Sequence, residues 1–331
     1  MNKKVSLIIP VFNAEEYISR CVDSALQQSY KNIEILLIND GSTDNSSKII
    51  KKYSTYENVI IINKNNSGVS EARNVGLKKC SGDYVLFLDS DDFIDNDYIE
   101  NLIKVVTKNK CDLVVTGFKE VSGENVKYKS IYQNLIKLNE TLDITFPNNI
   151  KDYLATIEFN PCWKMLVSSS LIKNNNLKFN KNIKYGEDML FSFQCYVLSK
   201  KTVYYLNYGY NYYINLSSAM NKKSINALKK YYDDNLETYN LIIKQINFNK
   251  LYLELFSYKT LQVFKGITGK LIESSPNYKI YKYNYIRIRN NYNSVFNNFS
   301  LKKEYGVEGL LIFMLKLRLN YLYYILRRVK R

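Results

Sequence analysis

Residues 82–92 read Gly-Asp-Tyr-Val-Leu-Phe-Leu-Asp-Ser-Asp-Asp, and this stretch sets the fold class of the chain. Its middle, residues 84–88, has only apolar and aromatic side chains, so it predicts a strand that is buried on both faces. Carboxylates follow immediately, at Asp89, Asp91 and Asp92. Open parallel sheets bind ligands beyond the carboxyl ends of their strands. The stretch therefore predicts an α/β fold and the edge of the sheet where its site lies.

The sequence on both sides of this stretch alternates predicted strands and predicted helices. Apolar runs predict further strands, at residues 5–9, 33–38, 58–62 and 112–118. Stretches with helical spacing of apolar residues lie between the strands, at residues 14–28, 43–52, 69–79 and 96–108. This βαβ order predicts an open, doubly wound, mainly parallel sheet with helices on both faces.

Polar side chains end the other predicted strands as well. Asp40 follows the second strand and Arg73 lies after the third, so the topology places both near Asp89 and Asp91 around one crevice. Two carboxylates two residues apart suit a hard divalent cation that also takes phosphate oxygens, and an arginine suits a diphosphate. The alternative is a solvated turn before a helix N-terminus, with Arg73 in a surface ion pair with Glu71 or Asp89.

The amino-acid composition excludes several classes of catalytic and metal site. The 331 residues include no histidine, which excludes Ser-His-Asp hydrolysis and histidine-based zinc sites, so general-base chemistry falls mainly to Asp or Glu. The five cysteines show no metal-ligand or redox spacing, and we expect buried free thiols in a reducing compartment.

Four ordered segments resemble the family 2 glycosyltransferases with the GT-A fold. They are residues 10–13 (Pro-Val-Phe-Asn), 39–44 (Asn-Asp-Gly-Ser-Thr-Asp), 68–76 (Gly-Val-Ser-Glu-Ala-Arg-Asn-Val-Gly) and 82–92. The resemblance is strong over residues 4–118 and weak over 119–220. It implies a nucleotide-sugar donor, with a UDP-sugar as the favoured candidate, and an inverting reaction. Pro10 and Phe12 match the wall around the donor's base.

The same resemblance implies roles for the residues at the strand ends. The aspartate that matches Asp40 contacts the uracil ring, and the one that matches Asp91 binds Mn²⁺ or Mg²⁺ bridged by the diphosphate. The match to Asp89 lies at the ribose or the metal, and the match to Arg73 contacts the nucleotide. Some relatives add a histidine to the metal, which this chain cannot supply, so the choice between Mn²⁺ and Mg²⁺ stays open.

A second signal lies at residues 185–191, Tyr-Gly-Glu-Asp-Met-Leu-Phe. It resembles the Glu-Asp pair at a helix start where inverting members carry the catalytic base, and Asp188 matches that base. The alternative is a pair of acids that stabilises a helix N-terminus. Glu187 and Trp163, the latter within a Trp-Lys element, are candidate acceptor contacts. Trp163 has an equal alternative as a core residue.

The chain divides into three predicted regions. Residues 1–118 form the nucleotide-sugar-binding half, residues 119–220 the acceptor-side half, and residues 221–331 a helical, basic C-terminal region. Within the second region, residues 150–174 predict a helix in two pieces.

The last region holds most of the positive charge. The net charge is +16, and residues 221–331 contribute 21 Lys and Arg against 7 Asp and Glu. This balance indicates an anionic partner, either membrane lipid or nucleic acid, or a plain compositional bias. Residues 309–331 mix apolar and basic side chains and predict a basic amphipathic helix on an anionic membrane surface, or an ordinary packed helix.

Taken together, the sequence predicts a cytoplasmic glycosyltransferase, peripheral on the inner face of the cell membrane, that acts on a glycan or lipid-linked acceptor. One alternative is a sugar-nucleotide nucleotidyltransferase, which would prefer a Gly-rich basic loop after the first strand, where this chain has residues 10–13. Another is a non-catalytic nucleic-acid-binding protein, which would not require acidic strand ends. We expect no nucleic-acid partner.

Overall fold

The computed structural model describes residues 3–130, 136–145, 161–214, 225–245, 250–275, 277–299, 311–312 and 315–317. Two compact units make up the chain. One comprises Met1–Ile150, Glu158–Asn182 and Glu187–Leu216, and the other comprises Lys151–Ile157, Ile183–Gly186 and Ser217–Arg331. The three predicted regions, with boundaries at 118 and 220, stay a prediction.

The first unit is built on a large sheet. Its strands are β1 Val5–Val11, β2 Ile33–Asp40, β3 Val59–Lys64, β4 Tyr84–Phe87, β6 Leu113–Thr116, β9 Thr141–Asp143, β10 Met165–Ser168 and β11 Thr202–Tyr205. Across the described residues they lie in the order β3-β2-β1-β4-β10-β6-β11-β9. Neighbours from β3 to β4 run parallel, as do β6 and β11. The predicted α/β class with a doubly wound, mainly parallel sheet is therefore confirmed.

Helices cover this sheet because the apolar strands expose two hydrophobic faces. They are α1 Ile18–Leu26, α2 Ser46–Lys51, α3 Val69–Lys79, α4 Tyr98–Asn109, α5 Ser169–Asn174 and α6 Glu187–Leu198. Strands β1 and β2 are buried along their whole length. All five cysteines are free and buried within this unit.

The predicted two-piece helix over residues 150–174 is wrong at residues 165–168, and its residues 150–160 lie outside the described part of the chain. Residues 165–168 are not helical but form β10, which pairs antiparallel with β4 on one side and β6 on the other. The segment is too short for its periodicity to be decisive, and its partners are distant in sequence. A short 3-10 helix, Cys162–Lys164, precedes it, and α5 follows it.

A second, smaller sheet lies beside the carboxyl end of β4. Its strands are β5 Phe93–Ile94, β7 Phe118–Ser122, β8 Asn125–Lys129 and β12 Tyr210–Tyr213, in the order β5-β12-β7-β8. The antiparallel pairing of β12 with β5 sets Asn211 opposite Phe93. This pairing brings a late segment of the chain to the residues that directly follow Asp89 and Asp91.

From residue 225 onward the described part of the second unit is mainly helical, which confirms the predicted helical C-terminal region. Its helices are α7 Ile225–Gln245, α8 Lys250–Ser274, α9 Tyr278–Asn291 and α10 Asn293–Asn297. Aromatic residues fill its core: the Phe264 and Tyr292 rings lie 4.6 Å apart, and the Tyr292 hydroxyl donates to the Tyr232 carbonyl at 2.6 Å. None of the described helices is long and apolar enough to cross a membrane.

The predicted basic amphipathic helix of residues 309–331 is described only at 311–312 and 315–317, so most of that prediction lies outside the described residues. Ile312 and Leu315 are buried there, and the Tyr285 hydroxyl donates to the Leu315 carbonyl at 3.2 Å. Ile312 and Leu315 thus pack within the helical unit, whereas Leu317, also described, is 54 % exposed.

Candidate active site

Asp40 ends β2 and anchors the loop that leads to α3. It is 3 % exposed, and its carboxylate accepts hydrogen bonds from the Ser67 and Gly68 amides at 3.0 and 2.8 Å. The Lys64 ammonium also pairs with it. Gly68, at φ 92°, lets the chain turn directly into the helix that carries Arg73.

Arg73 joins two distant carboxylates. Its side chain is 5 % exposed, and it donates to Asp89 after β4 at 2.9 Å and to Glu187 at the start of α6 at 3.1 Å. The guanidinium also lies over the Phe179 ring, 5.2 Å from its centre. A buried arginine needs such partners, since an unpaired buried charge is costly. The structure thus brings the end of β4 and the Glu-Asp pair together through one side chain.

The Glu-Asp pair has altered acidity. Burial and the adjacent Asp188 carboxylate raise the pKa of Glu187, while Arg73 opposes that rise. Burial also raises the pKa of Asp188, again against the effect of Arg73. Carboxyls whose pKa moves toward neutrality suit proton transfer at physiological pH.

Asp91 and Asp92 differ in their surroundings although they are adjacent. Burial and the nearby Asp89 carboxylate raise the pKa of Asp91 to about 6. Asp92 is fully buried and accepts from the Tyr210 hydroxyl at 2.6 Å and from the Tyr213 amide at 2.8 Å. Asp92 is therefore held by protein donors on both oxygens, whereas Asp91 is only partly buried.

The remaining predicted site residues lie at different depths. Pro10 is buried inside β1, and Phe12, just past that strand, is 48 % exposed. Trp163 is 6 % exposed and stacks on Tyr210 at 4.3 Å and on Tyr212 at 5.7 Å. Its position corresponds to the core alternative rather than to an open platform for a sugar.

Two contacts of the site could not be identified from the sequence. Arg73 and Glu187 are 114 residues apart, so their ion pair follows from the tertiary fold alone. Tyr210 donates to Asp92 across 118 residues. The only available hint was the third acid in the Asp-Ser-Asp-Asp run, because a fully buried carboxylate requires donors.

The carboxylates after β4 are donors that suit a divalent cation. Asp89 and Asp91 place two carboxylates, hard oxygen donors, two residues apart after β4, and burial together with the Asp89 carboxylate raises the pKa of Asp91. Across the described residues no cluster of three or more His, Cys, Asp or Glu side chains forms a protein-only metal site. Asp91 and Asp89 therefore fit a cation that completes its oxygen shell with phosphate and water.

Comparison with known proteins agrees with this fold. The family model described as glycosyl transferase family 2 matches residues 6–170. An uncharacterized glycosyltransferase of Haemophilus influenzae is 36 % identical over 205 residues, which cover 61 % of this chain and 75 % of that protein. The glycosyltransferase GlyA of Streptococcus pneumoniae is 36 % identical over 242 residues, which cover 69 % of this chain.

A solved structure has a similar fold, and some of the relatives are much longer than this chain. The structure of residues 1–349 of S. aureus TarS in complex with UDP-GlcNAc matches with a TM-score of 0.69 at 19 % identity, over 99 % of this chain and 91 % of that one. This chain spans only 33 % of GlyA and 32 % of a poly(ribitol-phosphate) beta-glucosyltransferase of Bacillus spizizenii.

Proposed function

Since this chain belongs to glycosyl transferase family 2, we propose that it moves a sugar from a UDP-sugar to a hydroxyl of a growing glycan or lipid-linked acceptor, with inversion. The observation that carries the proposal is the double ion pair of Arg73, which brings Asp89 at the end of β4 next to the helix start with Glu187 and Asp188. The donor class is supported by TarS, whose fold is similar and whose structure holds UDP-GlcNAc. Residues 1–118 form the donor side and 119–220 the acceptor side.

In this proposal Asp188 is the general base. It takes the proton of the acceptor hydroxyl while that oxygen attacks the anomeric carbon of the donor. The bond between the sugar and the diphosphate breaks, and its electron pair leaves with UDP. The raised pKa of Asp188 supports the role, since a more basic carboxylate accepts the proton more readily.

Other residues bind and orient the donor. Asp40 and the loop it anchors serve the uracil, with Pro10 and Phe12 beside the base, and Arg73 fixes Asp89 near the ribose and the diphosphate. Asp91, together with Asp89, would hold Mn²⁺ or Mg²⁺. When bound, that cation neutralises negative charge on the leaving diphosphate.

We further propose that the enzyme works at the cytoplasmic face of an anionic membrane through its helical unit. Support comes from the charge of residues 221–331 and from an exposed face of α9. On this face Tyr283 is 67 % exposed and Ile286 45 %, and the exposed Lys279 and Lys282 flank them. Apolar side chains among lysines on one helix face suit an interface with anionic lipid.

A donor screen tests the proposed function. The protein is incubated with UDP-, GDP- and CMP-sugars, divalent cation and lipid-linked saccharide extract, and released nucleotide is measured. We expect acceptor-dependent release of UDP alone. Pyrophosphate release from UTP and a sugar phosphate, without transfer from any nucleotide sugar, would instead indicate a nucleotidyltransferase.

A further inference from the structure

Residues 89–92, called here the 89–92 turn, connect β4 to β5 and carry the proposed metal carboxylates. The turn is closed by the Asp92 amide, which donates to the Asp89 carbonyl at 3.0 Å. This one hydrogen bond does not fix the whole backbone conformation of the turn. The turn can orient a carboxylate toward a cation only if other groups also hold its backbone in place. The structure supplies holding groups from two different elements.

Side chains of helix α1 hold the turn from one side by donating to the backbone carbonyls of the turn. The Arg20 guanidinium donates to the Asp91 carbonyl at 2.7 Å, and the Cys21 thiol donates to the Asp89 carbonyl at 3.5 Å. Arg20 is itself fixed by two rings, since its guanidinium carbon lies 4.6 Å from the centre of Phe93 and 4.2 Å from that of Tyr213. Such cation–π contacts restrict the arginine to one orientation.

Strand β12 holds the turn from the other side. The Tyr210 hydroxyl donates to Asp92 at 2.6 Å and accepts from the Asp89 amide at 3.3 Å, so it ties both ends of the turn. Its ring is fully buried and stacks on Trp163 at 4.3 Å. The second oxygen of Asp92 accepts from the Tyr213 amide at 2.8 Å. Both oxygens of Asp92 thus have protein donors, which leaves Asp91 as the carboxylate presented to a ligand.

We propose that Arg20, Asp92 and Tyr210 are positioning residues that hold the 89–92 turn so that Asp91 meets the divalent cation on the donor diphosphate. The inference rests on the proposed function. It gives the second sheet a purpose, because β12 carries two of the groups that fix the turn. It also gives Trp163 a role, as the support of the Tyr210 ring.

The test measures UDP binding by the full chain at increasing Mn²⁺ concentrations, for the wild type and three variants. Tyr210→Phe removes one hydroxyl and keeps the buried ring, and Arg20→Lys keeps the charge but changes the donor to the Asp91 carbonyl. Tyr205→Phe is the matched control, since its hydroxyl donates to Asn139 at 3.1 Å, away from the turn. Groups that orient metal ligands typically cost 10–100-fold in metal affinity when removed.

We expect Tyr210→Phe and Arg20→Lys each to raise the Mn²⁺ concentration for half-maximal UDP binding by about 10-fold, with UDP affinity at saturating Mn²⁺ close to that of the wild type. Tyr205→Phe should leave the Mn²⁺ requirement unchanged. A merely structural role predicts lower thermal stability in both variants without a change in that requirement, and this result would overturn the inference. UDP binding by the wild type that ignores Mn²⁺ would overturn the metal assignment and the inference together.

Discussion

At the scale of single residues, Arg73 explains how two parts of the proposed mechanism share one location. It pairs with Asp89 on the donor side and with Glu187 beside the proposed base; the contact with Glu187 is buried and that with Asp89 is partly buried. The sequence indicated Asp89, Arg73 and the Glu-Asp pair as separate candidates. It offered the Arg73–Asp89 pair only as a surface alternative, and it could not indicate the pairing of Arg73 with Glu187, because these two residues are 114 positions apart and meet only in the folded chain.

The proposed base gives the first prediction. Asp188→Asn keeps the size of the side chain and removes the basic oxygen, so we expect turnover to fall by ~10²–10⁴-fold with UDP affinity unchanged. Glu57→Gln, an exposed acid next to β3, is the control and should behave as the wild type. Loss of UDP affinity in Asp188→Asn, with turnover at saturating donor near the wild-type value, would make Asp188 a donor ligand instead.

The acidity of the Glu-Asp pair gives a pH prediction. The base acts in its ionised form, and burial raises the pKa of both carboxyls, so the protonated, inactive form persists to a higher pH than for an ordinary acid. We expect kcat to increase with pH through this raised pKa and then level off. The pH dependence of kcat at saturating donor measures this pKa. A rise of kcat at the ordinary aspartate pKa of about 4 would contradict the raised pKa.

At the scale of elements, the strands were predictable where apolar runs were long and bounded by polar residues. Strands β1, β2 and β4 follow from such runs, since a strand buried on both faces has few polar positions. Strand β10 did not follow, because four residues between a 3-10 helix and α5 carry no decisive period. Strand β12 was not predicted either, because it also has only four residues and its strand partners are distant in sequence.

The packing of α3 on β1 gives an element-scale prediction. A Cβ at Gly76 would lie 2.4 Å from Cγ2 of Ile8, which is buried in the middle of β1. Gly76→Ala should therefore lower the free energy of unfolding by about 1–3 kcal/mol through overpacking. Gly266→Ala is the matched control: the site is open and lies within α8, so helix propensity should raise stability by about 0.5–1 kcal/mol. Urea unfolding measures both, and equal effects would contradict the close packing.

At the scale of the whole molecule, the charge distribution was predictable from the sequence but the surface that displays it was not. The sequence pointed to residues 309–331, whereas the described side chains show exposed lysines and apolar residues on α9. Helical periodicity alone does not show which face of a helix packs inward, because that depends on the neighbouring helices.

Membrane association can be tested on that face. Lys279→Glu with Lys282→Glu should weaken co-sedimentation with anionic vesicles by roughly 30-fold, since each basic residue near the surface contributes about 1 kcal/mol. Binding of the wild type should also weaken with salt. Lys48→Glu with Lys51→Glu, the same charge change on α2, is the control. Equal binding by both double variants would assign the positive charge to composition rather than to a docking surface.

The central claim is that the acidic end of β4 binds a nucleotide diphosphate through a divalent cation, and UDP titration of the wild type and Asp91→Ala with and without Mn²⁺ tests it most directly. Asp91 is half-buried in the 89–92 turn, and its raised pKa means that its charge disfavours folding at neutral pH, so its truncation should not lower the thermal stability. We expect Mn²⁺ to increase UDP affinity in the wild type and to have no effect in Asp91→Ala. A folded Asp91→Ala protein that keeps the full Mn²⁺-dependent affinity for UDP would contradict the account.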